Sequence, residues 1–242
     1  MSDAFTTEQL IQDLSHPDWQ RRYSAADCLK VVGDERATPA LIALLRDDNA
    51  TVRFIAARTL GIFRSEAAVQ SLVDVLAHTD DHDLQWAVAQ ALAEIGEAVV
   101  EPLIQLLDGD SATARAVAAD VLSDVADPRA IDPLADAFTR HGAADFETVG
   151  RVATAAALEK FGERAVLALL TALDDKTPLV RARAAASLGR MRNEDSVPAI
   201  IDLLADDATC DAENRVCDIA ALALQSIGTA QALAAVNEWQ AG

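Results

Sequence analysis

The sequence predicts an all-α chain: an α-solenoid of about seven two-helix repeats with a C-terminal capping helix. Three observations lead there. A helix-period phrase recurs along the chain, one leucine recurs in register with it, and short acidic turns precede each copy. The phrase reads apolar-Arg-x-x-Ala-Ala-x-x-Leu in "VRFIAARTLGIF" from Val52, "ARAVAADVLSDV" from Ala114 and "VRARAAASLGRM" from Val180. In "LQWAVAQALAEIG" from Leu84, Gln85 replaces the arginine. The register leucines are Leu29, Leu60, Leu92, Leu122, Leu158, Leu188 and Leu224, in steps of 30 to 36 residues. Seven copies at one period are not a chance match. The two 36-residue steps place insertions at Arg140 to Thr148 and Asp206 to Asn214.

Each phrase is a second helix, and a first helix precedes it: "PALIALLRD", "QSLVDVLAH", "EPLIQLLDG", "LALLTALDD", "PAIIDLLAD". The repeats run approximately 6–33, 36–64, 66–96, 97–127, 128–162, 163–192 and 194–228, within one repeat domain spanning 1–242. Pro39, Pro102, Pro133 and Pro198 open first helices, where a missing N–H costs little. Pro17, Pro128 and Pro178 stand near other helix starts, and Ser111 suits an N-cap. After Gly228, "TAQALAAVNEW" reads as a final helix over 229–240 that covers the last repeat. The Ala-Ala pair lets neighbouring helices approach at the short end of the ~8–10 Å range. One unit cannot bury its apolar face; stacking buries a continuous core.

Composition narrows the function. A net charge of −19 repels nucleic-acid backbones and anionic lipids, so neither is expected as a partner. The charge comes from 27 Asp and 12 Glu against 17 Arg and only 3 Lys. Asp-rich, Lys-poor surfaces of this kind resemble those of proteins from salt-loving microbes. Cys28, Cys210 and Cys217 are odd in number and lack a CxxC spacing, which fits a reducing interior. The first residues, "MSDAFTTEQL", show no signal peptide, and no apolar run approaches the ~20 residues of a membrane span. A soluble, cytoplasmic protein is expected.

The units resemble HEAT-type repeats of the phycobilisome-lyase-like class, whose pattern is a turn followed by VRxxAAxALGxIGD. The resemblance covers about residues 6–240, and it specifies a fold far better than a function. It implies that the recurrent arginines Arg22, Arg53, Arg115, Arg151 and Arg181 bond an Asp of the preceding turn and tie repeats into a ladder. Asp47 with Arg53, and Asp175 with Arg181, keep the six-residue spacing. Cys217 takes the arginine slot in the last repeat.

The resemblance also implies that the residue after the arginine is polar and faces the inner side. Here that slot holds Tyr23, Phe54 and Trp86 in three consecutive repeats. One turn on, the same face carries Asp27, Arg58 and Gln90, and then Val31 and Ile62. Exposed apolar strips mark interaction sites. Tyr23, Asp27, Phe54, Arg58, Ile62, Trp86 and Gln90 are therefore candidate partner-binding residues. Burial of the rings against one another is the alternative.

No motif points to catalysis. The acidic turns lack the glycine and terminal Glu of an EF-hand, so they read as solvated surface. His16, His78, His82 and His141 lie in polar stretches. The His-Glu pairs of deoxyhypusine hydroxylases, another HEAT-type family, are missing. There is no nucleophile elbow, phosphate loop or HExxH. The expectation is a non-enzymatic protein-binding adaptor, monomeric or weakly associating, with no catalytic residues, no metal and no cofactor. The alternatives are a chromophore lyase-like or chaperone subunit, by resemblance to phycobilin lyases, and a structural component of a signalling or taxis complex.

Overall fold

A computed structural model describes residues 6–140 and 148–241, with side chains outside 140 and 148–152. Among these residues the chain is all-α, with fifteen α-helices and a single isolated β-bridge, Thr209 to Arg215. Packing divides it into two compact units that part between Val125 and Ala126, where one domain was expected.

The N-terminal unit holds four helix pairs: α1 (Thr7–Asp13) with α2 (Trp19–Val32), α3 (Thr38–Leu44) with α4 (Ala50–Ile62), α5 (Val69–His78) with α6 (His82–Ile95), and α7 (Val100–Leu106) with α8 (Ala112–Val125). The C-terminal unit holds α9 (Ile131–Arg140) with α10 (Thr148–Lys160), α11 (Val166–Ala172) with α12 (Pro178–Arg190), and α13 (Val197–Asp202) with α14 (Val216–Ile227), then α15 (Ala230–Ala241). Short polar side chains start the second helices. Asp18, Asn49 and Asp81 accept N–H bonds at the starts of α2, α4 and α6, and Ser111 does so for Ala114.

A short 3₁₀ turn precedes most first helices, so Pro128 sits in such a turn (Pro128–Ala130) rather than at an α-helix start. The second insertion is a tight loop in which Cys210 and Asn214 bond through their backbones beside the Thr209–Arg215 bridge. The first insertion, with His141, falls at 141–147, outside the described residues.

All seven register leucines are fully buried, so this position is the spine of each core. The alanines beside them, such as Ala56 and Ala57, are buried too. Where α4 meets α6, a Cβ added at Gly61 would sit 2.5 Å from the Ala91 Cα. Gly189 makes the same approach to Ala223 in the C-terminal unit, at 2.7 Å. Only a residue without a side chain allows such contacts.

The residue four past each register leucine has a positive φ in every repeat. Gly33, Gly96, Gly162 and Gly228 occupy this slot in four repeats. Arg64 (φ 48), Ala126 (φ 57) and Arg192 (φ 52) occupy it in the others, where the Cβ makes that conformation costly.

The arginine ladder differs from the expected pairing. Arg53 Nη1 donates to the backbone carbonyl of Asp47 at 3.0 Å, not to its carboxylate. Arg181 does the same at Asp175, at 2.7 Å, and Arg115 at Gly109, at 2.6 Å. Gln85 reproduces the bond, its amide 2.7 Å from the Thr79 carbonyl. The carboxylate partner comes from the next repeat instead: Arg22 to Asp47 at 2.6 Å, Arg53 to Asp81 at 3.0 Å, Arg181 to Asp206 at 2.7 Å. Each turn carboxylate also caps its own turn. Asp47 accepts the Asn49 N–H, and Asp175 the Thr177 N–H. Arg151 lies outside the residues whose side chains are described.

These contacts hold the carboxylates charged. Burial opposes ionisation of Asp47, yet donors from Arg22 and Asn49 outweigh it and hold its carboxyl below the usual range. Arg181 does the same for Asp206. For Asp81 the Leu84 N–H leads, with Arg53 assisting against partial burial.

Candidate functional site

Residues four apart on a helix share a face. On α4 this aligns Phe54, Arg58 and Ile62; on α6, Trp86, Gln90 and Glu94; on α2, Tyr23, Asp27 and Val31. The face is open in part. Trp86 is 52% exposed, Ile62 42% and Val31 85%, whereas Phe54, Arg58 and Tyr23 are half-buried.

Phe54 and Trp86 stack across the α4–α6 contact, with ring centres 6.2 Å apart and planes 9° from parallel. Arg58 lays its guanidinium 5.4 Å from the Trp86 ring centre, a cation–π contact. Its Nε is buried without an acceptor, and Arg58 makes no hydrogen bond or ion pair among the described residues. The result is a platform of two rings and a cation, fully exposed nowhere and fully buried nowhere.

Tyr23 does not join it. The ladder of three rings expected from the sequence is a stacked pair with Tyr23 apart. The glycine that lets α4 close on α6 has Lys30 as its counterpart on α2. Lys30 pairs with Asp27 at 2.6 Å, so Asp27 is engaged within its own helix. Gln90 is exposed beside Trp86. The unbonded Arg58 guanidinium left no trace in the sequence, because an arginine on a helix face normally reads as solvated.

Grooves lie elsewhere. Leu45, Arg46, Asp74, His78 and Leu84 line one of about 610 Å³ at the turn edge, and Asp174, Arg181 and Asp202 line its counterpart of about 560 Å³ in the other unit. Both are wide and shallow. His78 Nδ1 is bonded to the Asp74 carbonyl, and His82 Nδ1 to the Gln85 amide oxygen. Burial pushes the thiols of Cys210 and Cys217 up, which disfavours the reactive thiolate. Among the described residues no three His, Cys, Asp or Glu group as metal ligands, and no helix is long and apolar enough to cross a membrane. Among the described residues the hydrogen bonds of His78 and His82 pair no nucleophile with a base.

These repeats define a class. HEAT repeats match residues 7–93, 78–145 and 141–213, and the chain belongs to the HEAT-repeat family. Within it, the chain is 31% identical over 171 residues to phycocyanobilin lyase subunit alpha of Picosynechococcus sp., spanning 66% of this chain and 59% of that protein. It is 33% identical over 141 residues to phycocyanin operon protein Z of Pseudanabaena tenuis, spanning 54% and 69%. Bilin biosynthesis protein PecE of Mastigocladus laminosus is 38% identical over 108 residues, 41% of this chain and 40% of that protein. Among solved structures, the complex of CpcE and CpcF of phycocyanin lyase from Nostoc sp. aligns with 99% of this chain and 96% of that chain, at 22% identity and a TM-score of 0.47.

Proposed function

We propose that the chain is a non-enzymatic protein-binding module that docks a partner on the exposed second-helix face of its N-terminal unit. The observation behind this reading is the Phe54–Trp86 stack, with Trp86 half exposed where the repeat pattern calls for a polar residue. Half-exposed aromatics beside an arginine are typical interface anchors. Tyr23, Asp27, Phe54, Arg58, Ile62, Trp86 and Gln90 form the contact surface. The module acts in the cytoplasm, as a monomer or weak oligomer, and its acidity suits a salt-rich interior.

The named relatives favour a second reading, a lyase-like subunit that handles a bilin or its carrier protein. Two measurements separate the readings. Capture from host lysate by wild type and by Trp86→Ala tests the docking face, with loss of the same proteins in the variant expected. Titration with phycocyanobilin, followed by visible absorbance, tests the other. A spectral shift at equimolar pigment together with undiminished capture by Trp86→Ala overturns the docking reading in favour of the lyase-like one.

A further inference from the structure

We infer that the docking face takes a basic segment of a partner protein that carries one carboxylate next to a large apolar side chain. The carboxylate seats on Arg58 and the apolar group on Trp86. This rests on the docking reading above and specifies its occupant.

Arg58 decides the local chemistry. Its Nε is buried and has no acceptor, and the guanidinium has no bonded partner. Its Nη groups are unbonded without being buried, so the outer edge of the fork is open. The Trp86 ring, its centre 5.4 Å from the guanidinium carbon, holds that fork beside the indole. A planar guanidinium with free donors matches a carboxylate bidentately. The other cation of this face, Lys30, already has Asp27. The half-exposed Trp86 lies against Arg58, so a group bonded to the fork must place its neighbour over the indole.

The rest of the segment follows from the field around it. At −19 the chain repels an acidic partner and attracts a basic one. Gln90 and Glu94, on the same side of α6, add no cation. One carboxylate in a basic frame therefore satisfies both the local donor and the global charge. The face also extends over α2, α4 and α6, from Val31 through Ile62 to Trp86. Three helix layers at ~10 Å each span about 20 Å, the reach of about six extended residues. A chain segment fits that length.

Four fluorescein-labelled ten-residue peptides in a Gly-Ser-Lys frame test this by anisotropy, in low and moderate salt. They carry Trp with Glu, Trp with Gln, Trp with Lys, or Ala with Glu. The Trp–Glu peptide is expected to bind best, with the Gln version weaker by about tenfold, the effect of one charge-assisted bond. Arg58→Gln should abolish the Glu-over-Gln preference while keeping residual binding. Trp86→Ala should remove the preference for Trp over Ala. Circular dichroism melts of both variants establish that they fold. Equal binding of Glu and Gln peptides, or a Glu preference that survives Arg58→Gln, overturns the carboxylate assignment and leaves the docking face standing. Failure of every peptide at millimolar concentration overturns both.

Discussion

Substituting Gly61 by alanine is expected to destabilise the N-terminal unit, although helix propensity alone predicts the reverse. In an open helix, Gly→Ala gains about 1 kcal/mol. At Gly61 the new methyl would stand 2.5 Å from the Ala91 Cα and 2.9 Å from its Cβ. The first of these is backbone, so no rotamer change relieves it. The helices must part by about 1 Å, and a gap of that size forfeits a quarter to a half of each lost contact. Overpacking of this kind costs about 1–3 kcal/mol. With contact made against backbone the upper end applies, leaving a net loss of about 1–2 kcal/mol. For a protein of this size that lowers the melting midpoint by roughly 2–8 °C. Gly189→Ala, 2.7 Å from the Ala223 Cα, should behave alike in the other unit. Calorimetry or circular dichroism melts measure both. An unchanged or higher midpoint in either variant refutes the close-packing argument, because the sign and not only the size would be wrong.

Other substitutions probe different links. Arg64→Gly and Arg192→Gly should each stabilise by about 0.5–1 kcal/mol, since both residues hold a left-handed backbone; equal or lower midpoints count against strain there. Phe54→Ala should cost about 1–2 kcal/mol, between the surface and core ranges, because its ring is half-buried; a loss above ~3 kcal/mol would make it a core residue. Melting temperature should rise between about 0.1 M and 2 M KCl as screening relieves self-repulsion, and a fall refutes the reading of the −19 charge. The Asp47 carboxyl is depressed in the folded state. Its contribution is therefore full above the unfolded value of ~3.9 and is lost as pH falls through the lower, folded one. Asp47→Asn should flatten the acid limb of stability between about pH 5 and pH 2; an unaltered limb excludes this pair as its source.

The helix pairs were legible because burial leaves a period in the chain. A leucine every 30 to 36 residues is a buried spine, and the alanines beside it are a close contact. Pairing across repeats was less legible. A six-residue spacing put Arg53 with Asp47, and the arginine does reach that residue, but at its carbonyl. Sequence spacing locates a residue; it cannot tell whether its carbonyl or its carboxylate meets the guanidinium. The same limit applies to the rings. Tyr23, Phe54 and Trp86 share one slot, yet stacking needs the helices to close, and of these three helices only α4 and α6 meet at a glycine. The left-handed slot was visible only where glycine marks it. Arg64, Ala126 and Arg192 carry the same backbone without the same letter.

Because Arg22, Arg53 and Arg181 each take a carboxylate from the repeat that follows, the ladder has a direction. Arg22 with Asp47 and Arg181 with Asp206 are both separated by 25 residues, though they lie in different units. Any repeat that brings its own turn carboxylate can therefore complete the one before it, and its own arginine then awaits the next. Such a chain grows like a row of hooks and eyes, each arginine of this kind engaging the turn carboxylate of its neighbour. A repeat can also offer no hook: Gln85 keeps the bond to its own turn without a guanidinium. Cys217 stands in that slot, and α15 follows in place of another acidic turn. Cys217→Arg would give the seventh repeat the hook that Arg53 and Arg181 provide in theirs.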